Sequence, residues 1–449
     1  MKRVDWDAVG GEVVGLLQDL LRIDTTNPPG NETACAEHIA EVLRADGIES
    51  LLLEKEPGRG NLIARLRGTG ELPPLLLMAH MDVVVTEPER WTHPPFAAEI
   101  ADGYIWGRGA VDTKNLLAAE IITMLLLQRT GERLRRDVIL MANADEEVGV
   151  GVGARWVVLE HPDLIQAEYA INEGGGDSQL LANGRRFMSI QVAEKGNSPF
   201  KLVARGRPGH GSVQIEDNAV IRLGEALAKL GKAELPLRLT ATMRGYVNGI
   251  AELVDPAERR LWLGLLDPAT VRASLQDLPV SDEMRRLLAA QLFNTVVPTM
   301  LTAGSRLNVI PSSAEATVDS RVVPGMTREE HLAELRAVLG DEIEIEFIRQ
   351  APWLESSLDS PLFASIEKVM AELDPGVPVL PTLCTGGTDA KWVTSLGTKV
   401  YGFFPMRYEA GVMDLVHGHD ERITIDNLTF GTRVLFETVR RFCGEGAAL

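Results

Sequence analysis

Hydrophobic positions follow two different periods in the first part of the chain. Helical spacing, in which apolar residues recur every three or four positions, is found at 13–21, 32–45 and 115–128. Short apolar runs with the length of strands occur at 51–53, 61–66, 75–78, 137–142 and 169–171. Because these strands alternate with helices, the pattern predicts an α/β domain with a mixed sheet and helices on both faces.

The pattern changes after residue 194. Alternating, half-exposed strands are expected at 200–205, 314–322 and 342–348, and helices at 218–230 and 328–339. We interpret the segment as strand, helix, strand, strand, helix, strand, an order typical of a small ferredoxin-like α+β domain. The stretch at about 234–299 is predicted to add extra helices. The first pattern resumes near residue 358, with a helix at 360–373 and a strand at 399–404.

The simplest domain layout follows from this return of the first pattern. Residues 1–194 and 358–449 are expected to form one domain, and 195–357 an inserted second domain.

Charge and composition exclude several classes of protein. Lysine and arginine number 45 against 64 aspartates and glutamates, which gives a net charge of −19. Such an acidic chain repels nucleic acids and anionic lipid, so we expect neither as a partner. The sequence contains no run of about 18 apolar residues, so we expect no transmembrane helix. Three widely spaced cysteines favour a reducing compartment, and we expect a cytoplasmic protein.

Histidines and acids follow the predicted strands. They are His80 and Asp82 after 75–78, Asp145-Glu146-Glu147 after 137–142, Glu173 after 169–171, and His417, His419 and Glu421 near the C-terminus. Taken singly, each has an ordinary explanation as a capped strand end, a solvated acid or a surface histidine. Because the carboxyl ends of strands in an open α/β sheet meet at one crevice, we expect them to converge.

Converging imidazoles and carboxylates predict a metal site. Ligands of this kind, without thiolates, suit zinc or the harder ions manganese and cobalt. They outnumber what one tetrahedral ion needs, and this favours two ions. The loop Gly-Arg-Gly-Ala-Val-Asp112-Thr-Lys precedes a helix, where Asp112 is expected at the N-cap. It lacks the Gly-Lys-Ser/Thr of a phosphate-binding loop, which counts against a nucleotide-dependent enzyme.

Five short motifs stand in a fixed order along the chain. They are His80-x-Asp82, Gly-Arg-Gly-x-x-Asp112-x-Lys, Asp-Glu146-Glu147, Asn-Glu173-Gly and His417-x-x-Asp-Glu421. The series resembles the metallopeptidase family M20, whose members include aminoacylases, deacetylases, desuccinylases and carboxypeptidases. The resemblance covers almost the whole chain. It implies a zinc-exopeptidase-like catalytic domain and an inserted lid domain through which two copies dimerise.

The resemblance implies a role for each matching residue of the catalytic domain. The metal ligands would be His80 and Glu173 for one ion, Glu147 and His417 for the other, and Asp112 for both, with a cis bond to Thr113. Asp82 would orient His80, and Glu146 would be the general base. His417 is preferred over His419 because it lies four residues before Glu421.

The second domain and one later loop also match the family. His210 of Gly-His210-Gly-Ser would reach the partner subunit's active site and stabilise the oxyanion. Asn308 would contact the scissile carbonyl, and Arg321 would bind a substrate carboxylate. The pocket-lining loop would consist of Gly386, Gly387, Thr388, Asp389, Ala390 and Lys391. Lys391 stands where the family often has arginine, and the segment between His210 and Asn308 is longer than in compact members, so specificity does not transfer from relatives.

The expected activity is hydrolysis of an amide bond by two divalent ions, with zinc first and cobalt or manganese as alternatives. The expected substrate is a small N-acyl amino acid or dipeptide-like amide with a free carboxylate. A di- or tripeptide aminopeptidase is the main rival, and a non-catalytic metal-binding relative is a weaker one.

Overall fold

The computed structural model describes residues 4–445 and divides them into two compact units. Unit 1 contains the residues up to 192, the segment 356–382 and the residues from 388 onward. Unit 2 contains residues 193–355 and the short segment 383–387.

The helices and strands of the chain up to residue 194 belong almost entirely to unit 1. In chain order they are α1 (Trp6–Arg22), α2 (Glu32–Ala45), β1 (Ser50–Glu54), β2 (Gly60–Leu66), β3 (Leu75–His80), β4 (Ile100–Ala101), β5 (Tyr104–Trp106), α3 (Lys114–Thr130), β6 (Val138–Asn143), α4 (Ala154–Glu160), α5 (Pro162–Ile165), β7 (Tyr169–Asn172), β8 (Ser178–Leu180) and β9 (Arg186–Glu194).

The next elements form unit 2. They are β10 (Gly196–Asn197), β11 (Phe200–Arg205), β12 (Gly209–His210), α6 (Ala219–Leu230), α7 (Ala241–Leu253), α8 (Pro256–Gly264), α9 (Val271–Asp277), α10 (Asp282–Leu292), β13 (Thr295–Ala303), β14 (Val309–Ile310), β15 (Ser313–Val322), α11 (Arg328–Leu339), β16 (Glu344–Phe347) and β17 (Leu354–Glu355). The chain then adds α12 (Pro361–Leu373), β18 (Val379–Cys384), α13 (Ala390–Val393), β19 (Lys399–Gly402), β20 (Arg422–Thr424) and α14 (Ile425–Cys443).

A mixed sheet forms the centre of unit 1, with its strands in the order β1-β2-β6-β3-β7-β19-β9. Strands β6, β3, β7 and β19 are parallel neighbours, whereas β1 and β2 pair antiparallel. Helices α1, α3 and α14 pack together beside it, and α3 is buried along most of its length. The predicted α/β fold with a mixed sheet is confirmed.

Unit 2 has the predicted ferredoxin-like order of elements, β11-α6-β13-β15-α11-β16, and this prediction is confirmed. Its antiparallel strands lie side by side as β13-β15-β11-β16, and α6 and α11 contribute to one apolar core with them. The strand residues alternate between buried and half-exposed along β15, as expected for a sheet that is covered on one face.

The helices inserted in unit 2 end earlier than predicted. They are α7 to α10 and finish at Leu292, so residues 295–299, expected to be helical, instead begin strand β13. Pro298 lies at an irregularity in the pairing of this edge strand, a position where proline is tolerated because no ladder hydrogen bond is lost.

Hydrogen bonds connect the inserted helices to Lys195 and Glu355, which lie near the two ends of the segment 193–355. The buried ammonium of Lys195 donates to the carbonyls of Ala290 and Phe293, at 2.8 and 2.9 Å, where α10 ends. The carboxylate of Glu355 accepts from the backbone N–H and the hydroxyl of Thr242 at the start of α7. A cation at a helix C-terminus and an acid at a helix N-terminus both complement the helix dipole.

Over residues 4–445, none of the helices is both long enough and apolar enough to span a bilayer.

Candidate metal centre

Three parallel strands carry the candidate ligands at their carboxyl ends. Strand β3 lies between β6 and β7 and ends at His80. Glu146 and Glu147 follow β6 after a short turn, and Glu173 follows β7 directly. Because the three strands run in the same direction, their ends deliver these side chains to one edge of the sheet.

Two clusters of three ligands form at this edge and share Asp112. In the first, His80 Nε2 lies 3.1 Å from Asp112 Oδ1 and 3.2 Å from Glu173 Oε2. In the second, His417 Nε2 lies 3.1 Å from Asp112 Oδ2 and 3.2 Å from Glu147 Oε2. Within each cluster the ligand atoms lie within 4.8 Å of one another. One oxygen of Asp112 therefore faces each cluster, which is the arrangement of a bridging carboxylate.

The donor set fits two divalent ions. Ligand atoms about 2.1 Å from a tetrahedral ion are about 3.4 Å apart, close to the separations found here. Glu147 Oε1 is buried and has no hydrogen-bond partner, which is costly for a carboxylate oxygen unless a cation compensates it. Each cluster offers one imidazole and two carboxylates and no thiolate, a set that suits zinc, manganese or cobalt.

The ring of His80 is oriented by its own backbone neighbourhood. Its Nδ1 lies 2.8 Å from the carbonyl oxygen of Asp82, so Nδ1 carries the proton and Nε2 is left as the electron-pair donor. The nearest oxygen of the Asp82 carboxylate is 3.6 Å away. The contact of Asp82 with the His80 ring is therefore made by its backbone carbonyl, with the carboxylate farther away.

The Asp82 carboxylate instead holds the acidic loop after β6. It accepts from the backbone N–H groups of Glu146 and Glu147, each at 3.1 Å, and from the side-chain amide of Asn27 at 2.9 Å. Asp82 is fully buried, so these hydrogen bonds replace its hydration. Their effect is to fix the backbone of the two glutamates.

Asp145 holds the rest of that loop. Its carboxylate accepts from the backbone N–H groups of Val150, Gly151 and Val152, and Arg59 lies 3.6 Å away. The residue has a φ of 67°, a left-handed conformation that is uncommon outside glycine and tends to occur at functional sites. Asp145 and Glu147 therefore contact different partners, Arg59 and His417.

Glu421 fixes the loop that carries Asp112. Its buried carboxylate accepts from Arg108 at 2.6 Å and from the backbone N–H groups of Gly109, Val111 and Asp112 at 3.1, 2.7 and 3.0 Å. Arg108 also donates to the carbonyl of Gly418, next to His417. The loop of Asp112 and the backbone next to His417 are thus held by the same ion pair.

The charged groups of the candidate centre shift the pKa values of their neighbours. Burial raises the pKa of Asp112, but the hydrogen bonds to His417 and His80 outweigh it and hold that pKa well below its ordinary value. Burial, together with the charges of Glu173 and Asp389, raises the pKa of Glu146 well above its ordinary value. A glutamate with a raised pKa is a better proton acceptor, as a general base requires.

The loop 386–391 is divided between the two units. Gly386 and Gly387 are exposed in unit 2, whereas Thr388 and Lys391 belong to unit 1. Thr388 is buried, and its hydroxyl accepts from the side chain of Asn172 at 2.9 Å. The ammonium of Lys391 donates to the carbonyl of Thr388 at 2.7 Å.

Comparison with known proteins identifies the family. The model of "Peptidase family M20/M25/M40" matches residues 76–441. The chain belongs to this family. The resemblance that its motifs carry is therefore confirmed, and the protein is a metal-dependent hydrolase.

Three curated relatives of this M20 hydrolase cover most of its length. The Probable carboxypeptidase S-like 2 of Dictyostelium discoideum is 30% identical over 82% of this chain and 71% of its own. The N-fatty-acyl-amino acid synthase/hydrolase PM20D1 of Xenopus tropicalis is 26% identical over 92% and 82%. Aminoacylase-1 of Sus scrofa is 27% identical over 91% and 90%.

Two solved structures share the fold of this M20 hydrolase. The metallo-carboxypeptidase Sso-CP2 of Sulfolobus solfataricus superposes with a TM-score of 0.68 and 21% identity, over 96% of this chain and 99% of its own. The YXEP protein of Bacillus subtilis, described as a dinuclear metal binding peptidase, gives a TM-score of 0.62 and 17% identity, over 97% and 98%.

The remaining candidate residues of the M20 hydrolase lie in unit 2. His210 is exposed on β12, which pairs with β14, and the carbonyl of Asn308 accepts from the N–H of Gly211 beside it. Arg321 lies on β15 and forms an ion pair with Asp319 at 2.8 Å. Unit 2 therefore brings His210 and Asn308 together, with Arg321 on a separate strand.

Sequence reasoning misses the supporting residues of the M20 site. Glu421 enters it only as the last residue of a motif, and Asn27, Arg59 and Arg108 receive no role. Their partners lie far away in sequence, 313 residues in the case of Arg108 and Glu421. A buried Arg–Glu pair at that distance leaves no local pattern in a single sequence.

Proposed function

We propose that this M20 enzyme hydrolyses the amide bond of a small N-acyl amino acid or dipeptide-like substrate that carries a free carboxylate. The observation that carries the proposal is the pair of three-ligand clusters that share Asp112, with Glu146 fixed beside them. We expect zinc in both clusters and expect cobalt or manganese to substitute for it.

Each of the two clusters would hold one ion. His80 and Glu173 would hold one ion, Glu147 and His417 the other, and Asp112 both. When bound, two such ions lower the pKa of water and polarise an amide carbonyl. Glu146 would accept the proton of the attacking water and deliver it to the leaving nitrogen.

His210 is suited to donate a hydrogen bond to the oxyanion. Its Nδ1 accepts from the backbone N–H of Ser212 at 3.2 Å, so the proton of a neutral ring sits on Nε2. The ring is exposed, and Nε2 is therefore available to a substrate oxygen. In our proposal it serves the active site of a second copy, beside Asn308, which would contact the scissile carbonyl.

The exposed edge of unit 2 supports a homodimer. Strand β13 is an edge strand of nine residues, and the exposed fractions of Val297, Met300 and Leu301 are 53%, 65% and 65%. Long apolar edge strands rarely face solvent alone, since they would pair with other chains. We infer that unit 2 carries the contact between two copies.

Arg321 and Lys391 are the cations proposed to bind the substrate carboxylate. The planar guanidinium of Arg321 can bind a carboxylate bidentately, whereas Lys391 acts as a point charge. Gly386, Gly387 and Thr388 would line the pocket as backbone and hydroxyl contacts. The names of the relatives, which include an aminoacylase, a carboxypeptidase and an N-fatty-acyl-amino acid hydrolase, support a substrate of this class.

The proposal is tested with pairs of substrates that differ only in the carboxylate. Release of amine is measured for N-acyl amino acids and dipeptides and for their C-terminal amides, with the zinc-loaded full-length enzyme. The acid should be favoured in kcat/KM by about 10² or more, because only the acid offers a carboxylate that the guanidinium of Arg321 can bind bidentately. Arg321→Ala should abolish this preference, whereas Arg205→Ala, which removes an exposed arginine of the same unit, should keep it. Equal turnover of acid and amide would contradict the proposal and favour the aminopeptidase.

A cytoplasmic location also remains part of this proposal. It rests on the three widely spaced cysteines, none of which forms a disulfide in the structure.

A further inference from the structure

Two asparagines mark the ends of the strands on either side of His80. Asn143 is the last residue of β6, and Asn172 is the last residue of β7. Both side chains are buried. Glu173 follows Asn172 directly, and Glu147 lies four residues after Asn143. The position of each asparagine therefore bears on one glutamate ligand, and each of these glutamates belongs to a different cluster.

One dipeptide accepts hydrogen bonds from both asparagines. The side-chain amide of Asn143 donates to Asp389 Oδ2 at 2.6 Å, and that of Asn172 donates to Thr388 Oγ1 at 2.9 Å. Thr388 and Asp389 are only 7% and 6% exposed. The dipeptide also has support of its own, since Thr388 Oγ1 accepts from the N–H of Ala390 and its carbonyl accepts from Lys391.

These contacts connect the ends of β6 and β7 across the end of β3. Strand β3 lies between the other two, and His80 is paired in register with Asn143. The two strands are not hydrogen-bonded to each other, so the dipeptide is a second connection between their ends, in addition to β3. A displacement of either asparagine would carry its glutamate away from the cluster.

We propose that Thr388 and Asp389 are positioning residues of the metal centre, each of which fixes the strand end that carries one glutamate ligand. The inference rests on the proposed two-metal function. Thr388 acts through Asn172 on the cluster with Glu173, and Asp389 acts through Asn143 on the cluster with Glu147. Neither residue is assigned to the metal or to the reacting atoms.

The hydrogen bond, rather than the charge of Asp389, is what the proposal requires. Burial raises the pKa of Asp389 to about 7, yet its carboxyl oxygen can accept from Asn143 in either protonation state. Asparagine at position 389 also offers an acceptor oxygen of the same shape. Asp389→Asn should therefore preserve the function that Asp389→Ala removes.

The test measures metal binding and does not depend on turnover. Metal-stripped full-length enzyme is titrated with Co²⁺, and the visible absorption of the bound ion reports each binding event. Loss of a group that positions a ligand commonly weakens metal affinity by 10- to 100-fold. Thr388→Val should weaken one of the two binding constants by about that factor, and Asp389→Ala should weaken the other.

Matched variants separate positioning from general destabilisation. Thr394→Val removes a hydroxyl that donates to Lys391 in the same segment but contacts no strand end, and it should bind both ions normally. Asn143→Ala should reproduce Asp389→Ala, and the double variant should be no weaker than either single one. Asn143→Ala also tests the same contact if Asp389→Ala fails to fold.

Three outcomes would overturn the inference. They are normal binding of both ions by Thr388→Val and Asp389→Ala, weakening of the same constant by both, and equal weakening by Asp389→Asn and Asp389→Ala. A wild-type enzyme that binds fewer than two ions would contradict the proposed function itself, and the titration of the wild type alone reveals it.

Discussion

Replacing Glu421 by glutamine should destabilise the metal centre without touching a ligand. In the structure, Glu421 Oε1 accepts from the N–H groups of Val111 and Asp112, and Oε2 accepts from Arg108 and from Gly109. Glutamine can keep one pair of these bonds through its carbonyl oxygen. Its NH₂ group would then face two donors and could accept from neither.

The magnitude follows from burial. The side chains of Arg108 and Glu421 are 3% and 0% exposed, so solvent does not screen the pair. Breaking a buried ion pair by removing one partner typically costs about 3 to 5 kcal/mol, since the remaining charge stays buried without compensation. We expect the free energy of unfolding of Glu421→Gln to fall by about that amount.

A matched exposed pair provides the control. Glu372 binds Arg441 at 2.7 Å, but its side chain is 57% exposed. Solvent screening limits such a pair to less than about 1 kcal/mol, so Glu372→Gln should change the free energy of unfolding only slightly.

The assay combines urea unfolding with hydrogen exchange followed by mass spectrometry. In Glu421→Gln, peptides that contain Gly109, Val111 and Asp112 should exchange faster, because these amides lose their shared acceptor. Metal binding should weaken as well, because the loop that loses its acceptor carries the proposed ligand Asp112. The reasoning is refuted if Glu421→Gln is as stable as Glu372→Gln and these peptides stay protected.

Three further predictions concern other buried or catalytic groups. Glu120 is fully buried in α3, and burial raises its pKa well above the ordinary value. It therefore costs stability once the pH exceeds the unfolded pKa of about 4.3. Glu120→Met should stabilise the protein by an amount that grows by up to about 1.4 kcal/mol per pH unit above that value, whereas a constant difference between pH 4 and pH 7 would contradict this. Glu146→Gln should keep two metal ions and lose at least about 10² in kcat, whereas Glu147→Gln should lose one ion; the reverse pattern in metal analysis would exchange the two roles. Inactive His210→Ala and inactive Glu146→Gln chains should regain activity when mixed, and mixed dimers without activity would show that His210 does not act on a second copy.

The ligands can be predicted because each lies in a short run of sequence. A hydrophobic strand followed at once by histidine or acid is visible locally, and parallel strand ends converge in every open α/β sheet. The sequence alone therefore points to His80, to Glu173 and to the acids after β6, whereas the choice of Glu147 among these acids comes from the family resemblance. In the structure His80 and Glu173 share one cluster, and Glu147 belongs to the other. The residues that position them leave no such local pattern, because Glu421 and Asp82 act through partners that are remote in sequence or belong to the backbone.

Strands β9 and β13 and helix α14 are not predicted from the sequence. For the two strands, burial or an unusual position obscures the usual alternation of apolar and polar residues. Strand β9 alternates apolar residues with Ser189 and Gln191, but both faces are buried, so the alternation does not mark a solvent-exposed side. Strand β13 contains Pro298, which argues against a strand unless it lies at an edge, as it does here. Helix α14 is absent from the predicted elements, although its apolar residues recur at helical spacing.

The most direct test of the two-metal account is a metal titration of the stripped enzyme with simultaneous measurement of amide hydrolysis. We predict that zinc binds at two ions per chain, that Asp112→Asn loses both high-affinity events, and that hydrolysis of an N-acyl amino acid appears only as both sites fill. Full activity without metal, or full activity with a single ion bound, would contradict the account.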